Sequence, residues 1–233
     1  MYYRLMPHCR ICYFQSDLIL LDLKKDKYHV IEKELASKLI DCLSQPVDKD
    51  RPFSKELSDA LHKFQRLKIL SHSVSKTPEV IPQKNNLPGA NVDWRIERHS
   101  LDTKLPLRLK FKALGSLIWV YMLLYCFGFY RLILWVQKKK SRRPLSKSPY
   151  YDVTTLSHAL NQACFYFPIR VKCLEWATAY TLLALRYGWE CTLNIGVQNQ
   201  PFSAHAWAEV GGSVIADNPL MSKHLPVILQ EGA

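Results

Sequence analysis

Between Arg170 and Pro219 the chain lays down one helical pattern and three strand patterns, and two adjacent glycines fix how the last two strands meet. Leu174, Ala177, Thr178, Thr181, Leu182 and Leu185 recur at helical spacing, Pro168 stands upstream, and Gly188 follows as a stop. A helix starting between Ile169 and Cys173 is predicted. Trp189 to Val197 reads as a strand and Pro201-Phe202 breaks the chain. His205 to Glu209 then pairs through Gly211-Gly212 with Ser213 to Asp217. Helix followed by antiparallel hairpin is an α+β pattern.

The same pattern distributes three reactive side chains. Cys173 opens the helix, His205 stands early in one strand and Asp217 closes the next. A thiol, an imidazole and a carboxylate in that order are the parts of a cysteine-nucleophile triad, the base taking the thiol proton and the acid orienting the base. A cysteine in a first helical turn faces the positive end of the macrodipole and unpaired backbone N–H groups, which favour thiolate, and Arg170 and Lys172 push the same way. Register tests the arrangement, because a one-residue slip moves every side chain to the other face. A two-residue Gly-Gly loop would pair Val210 with Ser213 and leave His205 and Asp217 on opposite faces. A three-residue loop, with Gly212 in its left-handed position, pairs Glu209 with Ser213 and sets His205 across from Asp217. The three-residue loop is the expectation.

The run GVQNQPFSAHAWAEVGGSVIADNP, with the Cys173 helix ahead of it, resembles the leader peptidases of lasso-peptide biosynthesis. More narrowly, it resembles the B proteins of microcin-type clusters, in which recognition and peptidase parts share one polypeptide. The likeness covers roughly the last 65 residues well and the N-terminal part more loosely, carried by nucleophile, His-x-Trp strand, Gly-Gly turn and aspartate in order. It implies a papain- or transglutaminase-like cysteine peptidase that removes the leader from a ribosomal precursor peptide. Cys173 would be nucleophile, His205 general base and Asp217 its orienter. The freed core amine would be joined to an Asp or Glu side chain by a separate asparagine-synthetase-like cyclase. ATP belongs to that partner; this chain offers no cofactor site of its own. Trp207 shares the face of His205, where it would shield the imidazole or floor the substrate groove as a candidate substrate contact, with sheet packing as its other role. Two other classes use the same parts: a transglutaminase-type acyltransferase and a non-catalytic leader-binding scaffold.

Composition bounds the rest. At 233 residues, 48% of them hydrophobic, one or two domains with a real core are expected. A net charge of +12 suggests an anionic partner, whether an acidic peptide, nucleic acid or a membrane surface, with a soluble enzyme that merely carries a basic face as the other reading. Seven irregularly spaced cysteines and an N-terminus without a secretory pattern give reduced thiols and a cytoplasmic home as the expectation. No Walker A loop, GxGxxG or internal repeat occurs.

Three strand patterns, Ile11 to Gln15, Leu18 to Leu23 and Lys27 to Ile31, precede a helix over Glu34 to Leu43 and a second, capped by Ser54, carrying Leu57, Leu61, Phe64 and Leu67. That arrangement resembles the small winged-helix-like precursor-recognition domain called PqqD-like. There the leader adds as a strand to the third strand, against the last helix. Mapped here, Lys27, Tyr28, His29, Val30 and Ile31 form the edge, with Leu57, Leu61 and Phe64 either walling the leader's groove or filling the module's core. Cys9-x-x-Cys12 lacks a second ligand pair, so no metal site is assigned. Recognition of nucleic acid by this module is set aside.

Residues 1–72 are therefore expected to form the recognition domain, 73–105 a Pro-interrupted linker, and 106–233 the peptidase domain. Ala113 to Val136 is the ambiguous stretch, with an uncharged run of 18 residues ahead of Arg131 and QKKKSRR. A single crossing would part leader recognition from proteolysis, so the stretch is read as one buried or interface-lying helix. Peripheral membrane association stays open. Glu175 is expected to face away from the site, and His158, Cys164, Cys191 and His224 are given no role.

Overall fold

The computed structural model describes residues 2–45, 53–73, 87–90, 94–96, 103–141 and 150–232. The chain divides into two compact units, Met1–Leu87 and Pro88–Ala233.

In the first unit, β2 (Cys9–Phe14), β3 (Asp17–Asp22) and β4 (Lys27–Ile31) form an antiparallel meander with β3 in the middle. β3 is buried on both faces, which is why its sequence is an unbroken apolar run, Leu18 to Leu21, rather than an alternation. Asp22 closes the β3–β4 turn by accepting from the backbone N–H of Lys24 and Lys25. Two helices follow, α1 (Lys33–Ser44) and α2 (Lys55–Arg66), the second capped by Ser54, whose hydroxyl accepts from Leu57 N–H. The expected elements are present. Two more were not legible: β1 (Tyr2–Leu5) and β5 (Leu70–Ser73), which pair antiparallel. β5 occupies what the sequence marks as the end of the domain and the start of the linker, since LSHS has neither length nor alternation. Most of the expected linker lies outside the described residues.

The second unit is a four-stranded antiparallel sheet, ordered β8-β7-β6-β9, with helices packed on it. Its strands are β6 (Cys191–Asn199), β7 (Phe202–Val210), β8 (Ser213–Val214) and β9 (Val227–Glu231). Ahead of them come α3 (Leu107–Met122), a π-helical turn over Leu123–Phe127, α4 (Phe129–Ser141), α5 (Val153–Tyr166) and α6 (Cys173–Arg186); α7 (Met221–His224) precedes β9. α6 is the central element, packed against α3, α4 and α5 and against β6 and β7. It is apolar nearly all round, as a helix with neighbours on every side must be, and Ala177, Ala179 and Ala184 let those neighbours approach. Trp176 and Tyr180 stack at 5.3 Å, the indole donating to Asn161 and the phenol to the Val153 carbonyl. Gly188, at φ +93°, ends the helix as expected, with Trp189 N–H returning to the Ala184 carbonyl.

The single helix expected over Ala113 to Val136 is two. Gly128 takes φ +83° and ψ 168°, a conformation other residues avoid, and the chain turns back there. Trp119 of α3 and Trp135 of α4 meet with ring centroids 5.4 Å apart, so the two helices form a hairpin. Gln137 ties α4 to Glu231 of β9 at 2.8 Å.

Candidate active site

Cys173 is the first residue of α6, and the first intrahelical bond runs from Trp176 N–H to the Lys172 carbonyl. The N–H groups of Cys173, Leu174 and Glu175 therefore have no acceptor within the helix. His205 lies on β7, directly opposite Gly196 of β6, and is 1% exposed. Its Nε2 is 2.6 Å from Asp217 Oδ2, which leaves Nδ1 as the ring nitrogen for the Cys173 thiol, to which the imidazole is hydrogen-bonded. Asp217 Oδ1 accepts from Asn218 N–H at 2.7 Å, so both carboxylate oxygens are held. The three residues that the sequence singles out stand together.

They do so by a route other than the one expected. Val210 pairs with Ser213 and Glu209 with Val214, so the loop has two residues, Gly211 and Gly212, at φ +58° and +79°. Positive φ at both central positions is the hairpin turn whose twist matches that of its strands. The expected three-residue loop is thus corrected, and the register held to forbid the triad is the one present. The ladder continues only to Ile215, whose N–H donates to the Ala208 carbonyl. Ala216 then adopts φ +52°, the chain leaves the sheet, and Asp217 is swung back over His205. Strict alternation fails because β8 is two residues long, not five.

The electrostatics favour an ion pair. Burial pushes the Cys173 thiol up, yet the hydrogen bond from His205, the imidazolium charge and the Ala206 backbone together bring it below its ordinary value. Burial likewise pulls His205 down, and its bonds to Asp217 and Cys173 outweigh that and raise it to about 9. Burial alone acts on Cys12 and Cys164 and dominates at Cys9 and Cys191, holding all four thiols near 12 and inert.

Trp207, expected to shield the imidazole, to floor the substrate groove or to pack in the sheet, is 1% exposed and packs with Met221 and Leu225. Its indole stacks on His205 at 6.2 Å and donates to Glu209, so it shields the imidazole and lines no open groove. A Cβ on Gly196 would lie 2.8 Å from that indole and from Leu225, so glycine there makes the space Trp207 fills. Gln162 directs its amide N–H to the Thr103 carbonyl, and His158 meets the Thr103 hydroxyl. Glu175 does not face away. It is 2% exposed, accepts from the Tyr125 hydroxyl at 3.2 Å, leaves Oε2 without a hydrogen-bond partner among the described residues, and raises the Cys173 thiol. Tyr125 stacks on Tyr121, whose hydroxyl donates to the Arg170 carbonyl just ahead of the nucleophile. Glu175, Tyr121 and Tyr125 were not legible, because nothing in the sequence says that the Ala113 to Val136 stretch packs along α6.

In the first unit, Leu57, Leu61 and Phe64 are buried in the module's core, so they form no open wall. Phe64 nevertheless meets His29 of β4 edge-on, at 6.2 Å. Lys27, Tyr28, His29, Val30 and Ile31 form the outer strand of the meander, with Val30 42% exposed. His8, Cys9 and Asp22 bring three ligand-type atoms within 4.8 Å. Asp22 is occupied in the β3–β4 turn and Lys25 stands 3.6 Å from its other oxygen, surroundings that disfavour a cation.

Comparison with known proteins gives these residues a setting. Residues 117–230 match the model of the Transglutaminase-like superfamily, a span running from α3 through β9. The chain is 41% identical over 101 residues to the Microcin J25-processing protein McjB of Escherichia coli, covering 42% of this chain and 47% of that protein. The match thus spans about half the length of this relative. No solved structure matches the chain.

Proposed function

We propose that this chain, with its transglutaminase-like domain and partial likeness to a microcin-processing protein, is a cysteine endopeptidase that binds and removes the leader of a lasso-peptide precursor. The observation that carries the reading is the line of hydrogen bonds from Cys173, at the start of a buried helix, through His205 to Asp217. Cys173 Sγ, as thiolate, attacks the carbonyl carbon at the leader–core junction. In this reading the Cys173 backbone N–H, at the start of α6, holds the tetrahedral oxyanion, such a donor contributing typically about 10²–10³ in rate. The C–N bond breaks as the His205 imidazolium protonates the leaving amine, which frees the core N-terminus and leaves the leader as a thioester. Water, deprotonated by the same imidazole, adds to the thioester, and the leader departs as a carboxylate while Cys173 is restored.

The first unit supports the recognition half of the proposal. β4 is the outer strand of the three-stranded sheet, the place at which a PqqD-like module takes up a leader by strand addition. Leader contacts then fall on Lys27 to Ile31, and the contribution of Leu61 and Phe64 is to support that strand from the core. The partners are the precursor peptide and an ATP-using, asparagine-synthetase-like cyclase that joins the exposed amine to a side-chain carboxyl. The reaction belongs in the cytoplasm.

The test compares wild type with Cys173→Ala, each incubated with the precursor and its cyclase and read by mass spectrometry. A leader-sized fragment and a dehydrated core from wild type alone are expected. Equal cleavage by both would remove Cys173 from the mechanism. Cleavage by neither, with the leader still bound, would leave a scaffold, and leader transferred to an added amine would mark an acyltransferase.

A further inference from the structure

The segment from Thr103 to Tyr151 contains eleven of the chain's 32 Lys and Arg and none of its 20 Asp and Glu. The rest of the chain carries 21 basic against 20 acidic groups, so nearly the whole net charge of +12 resides on the α3–α4 hairpin and its flanks. The same hairpin is apolar on two opposite sides. Leu109, Ala113, Leu117 and Val120 are buried, while Leu107, Phe111, Ile118 and Met122 form an exposed stripe at helical spacing, Phe111 being 70% exposed. The helical run Leu107–Phe127 is long and apolar enough to cross a membrane, yet only 33% of its most apolar window is buried. A helix apolar on two opposite sides needs apolar surroundings on both, and among the described residues protein supplies them on one.

Beside the stripe lies a groove of about 840 Å³ with Phe111, Trp119 and Trp135 among its walls and Lys112, Lys139 and Arg186 among its polar groups. Lys139 Nζ stands 5.1 Å from the Trp135 ring centroid, and among the described residues Trp135 Nε1 has no hydrogen-bond partner. Arg186 ends α6, whereas Cys173 begins it, so the groove lies at the far end of that helix from the nucleophile.

We propose that the α3–α4 hairpin docks on the surface of an anionic phospholipid bilayer, with the stripe among the upper acyl chains and the cations on lipid phosphates. Aliphatic and aromatic side chains flanked by Trp and Lys, with no carboxylate, are the composition of an interfacial helix. Attraction to anionic lipid is about 1 kcal/mol per Lys or Arg near the surface. Spanning is a poorer solution, because Gly128 turns α4 back beside α3, and α3 packs on both α5 and α6. An acidic protein partner would satisfy the charge but gives no reason for a continuous outward stripe on a helix already apolar toward its core. The inference does not rest on the peptidase reading.

The full chain is floated with phosphatidylcholine vesicles, with and without phosphatidylglycerol. Binding is expected only with the anionic lipid and should weaken as salt rises. Lys112→Gln with Lys139→Gln should weaken binding roughly thirtyfold, about fivefold per charge. Phe111→Ser with Ile118→Ser should abolish it, while melting temperature and precursor cleavage stay at wild-type values, because these side chains are exposed and remote from Cys173. Failure to float with anionic vesicles, equal binding to both lipids, or indifference to both double variants would overturn the proposal. So would resistance to alkaline extraction, which would mean a spanning helix. Loss of cyclase association in the serine variant, without any vesicle binding, would assign the surface to a protein.

Discussion

Replacing Asp217 by Asn keeps the size of the side chain and removes its charge, and the consequences can be worked through from His205 outward. The imidazole is buried, and burial alone would pull it below its ordinary value; its bonds to Asp217 and Cys173 instead raise it to about 9. Relative to an ordinary histidine near 6.5, that is a differential of about 3 kcal/mol, shared between the two partners. An amide at 217 withdraws the carboxylate's share and presents a donor or acceptor in either orientation, so the ring tautomer is no longer fixed. The two effects together should lower kcat/KM by roughly 10²–10⁴ at neutral pH, as for the orienting acid of other triads. The assay is kcat/KM against pH on a fluorogenic leader–core peptide. The thiol is lowered, so thiolate persists to lower pH; the imidazole is raised, so imidazolium persists to higher pH. Wild-type activity should therefore climb through the thiol's titration and fall as pH rises through about 9. In Asp217→Asn the plateau should drop and the alkaline limb should move to lower pH. A variant with unchanged height and an unchanged alkaline limb would refute the assignment of Asp217 as orienter.

Three further outcomes follow from the same geometry. Glu175→Gln removes the carboxylate that raises the Cys173 thiol, so the acid limb of the profile should shift to lower pH, and an unmoved limb would show that the two groups do not interact. Gly196→Ala drives a methyl to 2.8 Å from Trp207 and Leu225; it should cost about 1–3 kcal/mol in denaturant unfolding and reduce kcat through the indole that stacks on His205. Val30→Asp, at an exposed position of the β4 edge, should weaken leader binding roughly tenfold or more in calorimetry without lowering the melting temperature, since edge pairing with a peptide depends on the facing side chains.

What was legible in the sequence was what depends on local pattern. The periodicity of α6, the stop at Gly188 and the cap at Ser54 are each decided within a few residues, and each is present. Cys173, His205 and Asp217 are marked by residue type and order, but the sequence points to the wrong loop between the last two. Ser213 to Asp217 has the pattern of a five-residue strand, and a left-handed alanine leaves no mark in a sequence. β1 and β5 escaped for a related reason: two four-residue strands far apart in the chain are specified by each other rather than by their own composition. The break at Gly128 was visible as a glycine, but an apolar run reads the same whether it continues or doubles back. Glu175 and Tyr125 were out of reach, because their meeting depends on which helices become neighbours.

The way Asp217 is held separates the three reactive residues into two kinds. Cys173 and His205 belong to a helix and a strand packed on each other, so their spacing can change only if the core changes. Asp217 hangs on a bend outside the ladder, between a left-handed alanine and an asparagine turn that closes on Leu220. This bend can be lengthened, shortened or rerouted while sheet and helix stay as they are. On the proposed peptidase reading, turnover can then be altered at the acid without any change in how sheet and helix fold.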